Sequence, residues 1–124
     1  MAGDAALKQV AAILLNSLRR LDIVARYGGE EFIILIPETK KEAVLEVAER
    51  IRSNIARNIF KIYNAVTRMT VSIGAAIYHD QSSLYLSPSE SREKIFKLIQ
   101  HADKALYQAK EEGRNQVALY RGED

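Results

Sequence analysis

Asp22-Ile23-Val24-Ala25-Arg26-Tyr27-Gly28-Gly29-Glu30-Glu31-Phe32-Ile33-Ile34-Leu35-Ile36-Pro37 is the stretch that decides the fold. Two apolar runs rich in β-branched residues flank a glycine pair, which predicts a β-hairpin turning at Gly28 and Gly29. Pro37 closes the second run, because it has no N–H to offer a continuing ladder. Upstream, Leu7, Val10, Ala11, Leu14, Leu15 and Leu18 recur at helical spacing. They predict a helix capped by Asp4 and running to about Leu18. Downstream, Thr39-Lys40-Lys41-Glu42 fits a capping box. It opens a second helix with Ala43, Val44, Val47, Ala48, Ile51 and Ile55 on one face. Met69, Val71, Ile73, Ala75 and Ile77 alternate with Thr70, Ser72, Gly74 and Ala76, which predicts a third strand with one small-residue face. The polar stretch 79–89, with Pro88, reads as a loop. A long helix follows, presenting Ile95, Leu98, Ile99, Ala102, Ala105, Leu106 and Ala109 to a core, with Gly113 placed to end it. Gln116 to Tyr120 reads as a short last strand. Helix, hairpin, helix, strand, helix, strand is the order of an α+β or α/β sandwich, with helices on a mainly antiparallel sheet.

The 124 residues suffice for one compact domain with a single core. Hydrophobic residues at 48% and charged residues at 27% are ordinary for a globular protein. A formal net charge of +2 gives no molecule-wide field for a nucleic-acid polymer, so anion binding must come from a local cluster. The absence of cysteine excludes disulfides, thiolate catalysis and cysteine-ligated metal. His79 and His101 are too few for a zinc site without help from carboxylates. No apolar run approaches the ~20 residues of a membrane span, and no signal-like segment opens the chain. No membrane contact is therefore expected from this segment, and the cytoplasm is the expected compartment.

Three constellations carry chemical meaning, each beside a plainer reading. Glu30 and Glu31 put two carboxylates at a glycine turn that can approach a ligand closely. Magnesium takes one or two carboxylates and fills its remaining positions with water and substrate phosphate, so this tip suits a metal–nucleotide site. The plainer reading is a solvated acidic turn. Lys110 and Arg114, four apart, would share a helix face and could grip phosphate oxygens. Equally, they could be cations favoured by the negative end of the helix dipole. Arg19 and Asp22, just before the hairpin, could form a local salt bridge and nothing more. Arg50 and Arg52 look like solvated cations, and both histidines read as structural or surface residues.

Taken in order, these pieces resemble the GGDEF family of diguanylate cyclases. Gly28-Gly29-Glu30-Glu31-Phe32 matches the signature in its GGEEF form, and Ala25-Arg26-Tyr27 before it also fits. Gly3-Asp4-x-x-Leu7 resembles the end of the family's GHxxGDxxL stretch. Ser72-Ile73-Gly74-Ala75 matches the strand after the second helix. Ala102-Asp103-Lys104-Ala105-Leu106-Tyr107-Gln108-Ala109-Lys110, then Gly113-Arg114-Asn115, matches the C-terminal ADxALYxAKxxGRN pattern. The resemblance runs the length of the chain.

The resemblance implies a ferredoxin-like sandwich of the nucleotidyl cyclase palm type. It implies condensation of two GTP molecules to cyclic di-GMP across a homodimer, with Mg2+ (or Mn2+) as cofactor. Glu30 would hold the metal, supported by Glu31. Gly28 and Gly29 would lie against the nucleotide, Lys110 and Arg114 would hold its phosphates, and Asp4 would read guanine. Arg19 and Asp22 fall where the family carries its RxxD product-inhibition site, with Arg50 as a second arginine. The family domain begins roughly 40 residues earlier, with a DxDxFKxxND-type strand that brings the partner metal carboxylate. Residues 1–124 are thus expected to form a single partial domain whose first strand is missing and which has little or no cyclase activity of its own. The competing expectation is a receptor-like remnant that binds cyclic di-GMP through the RxxD site without making it. A further expectation is a dimer or larger assembly joined where strands 32–36 and 69–77 lack their neighbour.

Overall fold

The computed structural model describes residues 2–37, 39–78 and 87–122. Its described residues form two compact units, divided between Val71 and Ser72.

In the first unit, helix α1 (Ala2–Ser17) leads to the hairpin of β1 (Ile23–Tyr27) and β2 (Glu31–Leu35). The two strands pair antiparallel, from Ile23 opposite Leu35 to Tyr27 opposite Glu31, which confirms the predicted hairpin and its turn. Helix α2 (Lys41–Arg57) follows, then a short antiparallel pair, β3 (Phe60–Ile62) and β4 (Ala65–Thr67). This second hairpin goes beyond the sequence-based expectation. The core of the unit is apolar side chains on the facing stripes of α1 and α2 together with β3: Val10, Leu14, Ala48, Ile51, Ile55 and Phe60 are buried. Phe60 is fully enclosed, and burial of such a ring contributes about 1.5–3 kcal/mol. The side-chain amide of Gln9 pairs with the backbone of Lys61, donating to its carbonyl at 2.7 Å and accepting from its N–H at 3.3 Å, so α1 satisfies an edge position of β3.

Two expectations fail in this unit. Asp4 lies inside the first turn of α1 rather than at its cap, where its charge still complements the positive helix end. The capping box at Thr39 does not form, because Lys40 is the N-cap and makes no side-chain cap bond. Thr39 Oγ1 instead donates to Pro37 O at 2.7 Å and accepts from Arg19 at 3.0 Å. Leu15, one of the apolar residues at helical spacing, is 65% exposed, since it sits off the stripe formed by Val10 and Leu14.

In the second unit, β5 (Ile73–Ala75), α3 (Pro88–Glu111) and β6 (Val117–Leu119) follow in order. β5 and β6 pair parallel, Ile73 opposite Val117 through Ala75 opposite Leu119. The predicted strand 69–77 is therefore realised only where it has this partner. Among the described residues two ladders are antiparallel and one is parallel. α3 packs on β5 so closely that a Cβ at Gly74 would fall on Ala102 O and Leu106 N and lie 2.7 Å from Leu106 Cα. Ala105, Ala109 and Ala118 form the buried centre of the unit, with Tyr120 packed on it. Ile95, expected in the core, is 42% exposed. α3 begins with a complete capping box: Ser87 Oγ accepts from Glu90 N, and the Glu90 carboxylate accepts from Ser87 N. Those bonds hold the Glu90 carboxyl below its usual range. Ser87-Pro88-Ser89-Glu90 carries the pattern of a helix start, so the loop expected over 79–89 gives way to α3 at its last residues. The rest of that loop, with His79, lies outside the described residues.

Candidate functional site

The glycine–glutamate tip is a three-residue turn, Gly28-Gly29-Glu30, between paired strands. Gly28 takes φ 73°, a left-handed conformation that glycine adopts without strain. Gly28, Gly29 and Glu30 are exposed, and a Cβ at either glycine would meet nothing within 4 Å. The tip is therefore open to solvent at both glycines. Glu31 begins β2 and is half-buried. Arg26 braces the turn: its Nε and Nη2 donate to Gly29 O at 3.2 and 2.7 Å. A carbonyl that the short turn leaves outside the ladder thus gains a charged donor. Sequence reasoning assigned Arg26 no such task, although its place three residues before Gly29 was a usable signal.

Two carboxylates beside an open turn fit a magnesium ion that keeps water and phosphate oxygens among its ligands. Among the described residues no group of three or more His, Cys, Asp or Glu side chains could hold a metal ion by itself. The donor set therefore fits an ion delivered with a phosphate-bearing ligand. Asp4, the expected guanine reader, is exposed in the first turn of α1.

Arg19 and Asp22 form a closed loop before β1. Arg19 N donates to Asp22 Oδ2 at 2.8 Å, Arg19 Nη2 reaches Oδ1 at 3.0 Å, and Asp22 N returns to Arg19 O at 3.1 Å. Arg19 Nη2 also donates to Pro37 O and Thr39 Oγ1, tying this loop to the end of β2. The Asp22 side chain is buried, 1% exposed, while that of Arg19 is 53% exposed. Burial pushes the Asp22 carboxyl up, but the side-chain and backbone hydrogen bonds and the charge of Arg19 outweigh it, and the carboxyl lies below its ordinary value. The local salt bridge is real, and it presents an arginine to solvent. Arg50 donates through Nη2 to Ser17 O at 2.8 Å, completing the end of α1. It shares with Ile13, Asn16, Ser17, Asn54 and Arg57 the wall of a groove of about 420 Å³.

In the second unit Lys110 lies in the last turn of α3, half-buried, and Arg114 lies beyond it, exposed. The shared-face argument for this pair fails. The helix ends at Glu111, and Gly113, Arg114 and Asn115 all take positive φ, at 118°, 63° and 49°. Arg114 therefore belongs to a turn with its own geometry. Asn115 N donates to Ser72 Oγ at 3.2 Å, which joins the Ser72-Ile73-Gly74-Ala75 motif to the Gly113-Arg114-Asn115 motif.

The sequence matches the family described as "Diguanylate cyclase, GGDEF domain" over residues 1–116. It is 39% identical over 118 residues to Diguanylate cyclase A of Treponema denticola, covering 95% of this chain and 29% of that protein. It is also 39% identical over 120 residues to Diguanylate cyclase DosC of Escherichia coli K12, covering 96% of this chain and 24% of that one. The chain thus spans about a quarter of the length of these curated relatives. Among solved structures, the active GGEEF domain of a Vibrio cholerae diguanylate cyclase superposes with a TM-score of 0.78 at 27% identity, over 98% of this chain and 70% of that one. The GGDEF domain of DgcB from Caulobacter crescentus, in complex with c-di-GMP, superposes at 0.75 with 30% identity, over 94% of this chain and 64% of that one.

Proposed function

The chain belongs to the GGDEF diguanylate cyclase family, and from that membership we propose that it binds GTP and condenses two GTP molecules to cyclic di-GMP and two pyrophosphates. The observation that carries this reading is the open, arginine-braced tip Gly28-Gly29-Glu30 followed by Glu31. In this reading the Gly28–Gly29 backbone lies along the nucleotide, where any side chain would intrude. Lys110 and Arg114 hold the phosphates, and Asp4 accepts from the N1–H and 2-amino group of guanine, a donor pair that adenine lacks. Mg2+ (or Mn2+), when held by Glu30 with Glu31, neutralises charge on the phosphate and favours ionisation of the attacking 3′-hydroxyl. Each 3′-hydroxyl attacks the α-phosphate of the other GTP, one phosphodiester bond forms at each, and pyrophosphate leaves from each. Two nucleotides must therefore face one another, so the working species is a homodimer.

Incubation of the chain together with its upstream sequence, with GTP and magnesium, followed by chromatography, tests this. Cyclic di-GMP and pyrophosphate in a one-to-two ratio are expected, and neither should form when Glu30 is replaced by alanine. Residues 1–124 are proposed to be part of a larger catalytic domain. Turnover by this chain alone should then be at least ~100-fold below that of a version carrying its upstream sequence. Equal rates would overturn that proposal.

A second reading is favoured by the Arg19–Asp22 loop, which holds an exposed guanidinium in place before any ligand arrives. In it, cyclic di-GMP binds at Arg19, Asp22 and Arg50. Arginine can pair with phosphate through two donors and stack on a guanine face. Asp22 already accepts from Arg19 through both oxygens, so the ligand must share or displace those bonds. Cyclic di-GMP binding without any turnover, even with upstream sequence present, would favour a receptor over an enzyme. No membrane role is assigned, and no helix among the described residues is long and apolar enough to cross a membrane.

A further inference from the structure

Helices commonly stop on one left-handed residue, and at the end of α3 Gly113 supplies it. Arg114 N donates to Ala109 O at 2.9 Å, which completes the usual bond across such an end. Yet the left-handed run continues through Arg114 and Asn115, at φ 63° and 49°. Residues bearing a side chain visit this region singly, and successive ones are disfavoured by the clash of Cβ with the backbone. Such a run persists only where its surroundings over-determine it.

The surroundings are side chains from two places. Gln116 Nε2 donates to Glu112 O at 3.0 Å and to Arg114 O at 3.1 Å, spanning the turn from inside. Ser72 Oγ accepts the Asn115 N–H from the start of β5. The Gln116 backbone is itself fixed, because Ile73 N donates to its carbonyl at 2.9 Å. Both polar atoms of the Arg114 main chain are thus engaged, its N–H by Ala109 and its carbonyl by Gln116. Its Cα–Cβ direction follows from that. Among the described residues the guanidinium has no hydrogen-bond or ion-pair partner, so what the turn fixes is an arginine that is free to take a ligand.

We propose that Gln116 and Ser72 are positioning residues, which hold the left-handed Arg114–Asn115 turn so that Arg114 is presented to a nucleotide phosphate. The proposal rests on the assignment of Arg114 to phosphate binding made above. Gln116 and Ser72 touch no substrate and act through the peptide groups on either side of the arginine.

A double-mutant cycle read by calorimetric titration of magnesium–GTP tests it. Arg114→Ala should weaken affinity about tenfold or more, as loss of a charged hydrogen bond to phosphate does. Gln116→Glu keeps the shape and removes the donor, and Ser72→Ala removes the acceptor. Each should weaken affinity about three- to tenfold in the parent chain and not at all in the Arg114→Ala background. Ser72→Thr, which keeps the hydroxyl, should bind as the parent does and serves as the second arm if Gln116→Glu folds poorly. Unchanged affinity in Gln116→Glu and Ser72→Ala would overturn the proposal. So would losses of equal size with and without Arg114, because these are what a merely structural role produces. Parent-like binding by Arg114→Ala would instead overturn the phosphate assignment itself, and the positioning role with it.

Discussion

At the scale of single residues, Asp22 shows how a buried carboxylate stays ionised. Its side chain is almost wholly enclosed, yet three Arg19 groups donate to it and hold its carboxyl below the ordinary value. The linkage sign follows. A folded-state value below the unfolded one gives a contribution that is fully present above the unfolded carboxylate range and is lost as pH falls through the folded value. Thermal stability should therefore show no titration from this group above about pH 5 and should decline in stronger acid. That decline should be smaller in an Asp22→Asn variant, which keeps only the share from other carboxyls such as Glu90. Arg19→Ala should weaken cyclic di-GMP binding about tenfold or more by calorimetry. It also removes the guanidinium donors of Asp22 and leaves only the N–H of residue 19, so stability falls. Arg19→Ala combined with Asp22→Asn should recover stability without recovering affinity, which separates recognition from folding. Asp4 is the third residue with a sharp expectation. Because it is exposed rather than enclosed, its discrimination between bases is that of one solvated charged contact. Replacing Asp4 by serine should reduce the preference for GTP over ATP by roughly tenfold, about 1.4 kcal/mol. An unchanged preference would move the task to another group. The identities of these residues and the Arg19–Asp22 pair were legible in sequence, but their other partners were not. Nothing in the spacing shows that Arg19 reaches across to Pro37 and Thr39, or that Arg50 is occupied by the carbonyl that ends α1.

At the scale of elements, α3 and β5 approach so closely that only a glycine fits between them. Gly74→Ala would drive a methyl group into the backbone of Ala102 and Leu106, which cannot yield as a flexible side chain does. Overpacking of this kind costs about 1–3 kcal/mol or more, so the melting temperature should fall by several degrees. A melting temperature equal to the parent's would contradict the contact. The three helices and the β1–β2 hairpin were legible because their periodicity is long and their punctuation strong: Gly28-Gly29, Pro37 and Gly113 all mark real ends. β3 and β4 were not, since strands of three residues carry too little alternation to read, and Phe60 discloses its burial only through contacts distant in sequence. The parallel pairing of β5 with β6 was missed for a related reason, because the pattern of a short apolar run does not encode the direction of its neighbour. The end of α3 was read correctly at Gly113, but helical spacing was wrongly extended past it to Arg114.

At the scale of the molecule, the proposed reaction needs two copies, each bringing one GTP. Below the concentration at which the dimer saturates, the rate of cyclic di-GMP formation should rise with the square of protein concentration. First-order dependence over that range would argue for a preformed assembly or a different reaction. Light scattering at micromolar concentration shows which species is present. The family and the location of the glycine–glutamate hairpin were readable from motifs spread along the whole chain. The extent of the catalytic domain is a separate proposal, which the comparison with and without upstream sequence addresses. Beneath all of these lies the central claim that this chain is a GTP site built on Gly28-Gly29-Glu30-Glu31, with Lys110 and Arg114 as phosphate ligands. Calorimetric titration with GTP and with ATP, each with magnesium, tests it most directly, because binding does not depend on completing the reaction. The account predicts saturable one-to-one binding of GTP, roughly tenfold weaker binding of ATP, and about tenfold weaker binding of GTP to the Glu30→Ala and Arg114→Ala variants. No heat of binding for GTP, or equal affinity for GTP in the parent and both variants, would contradict it.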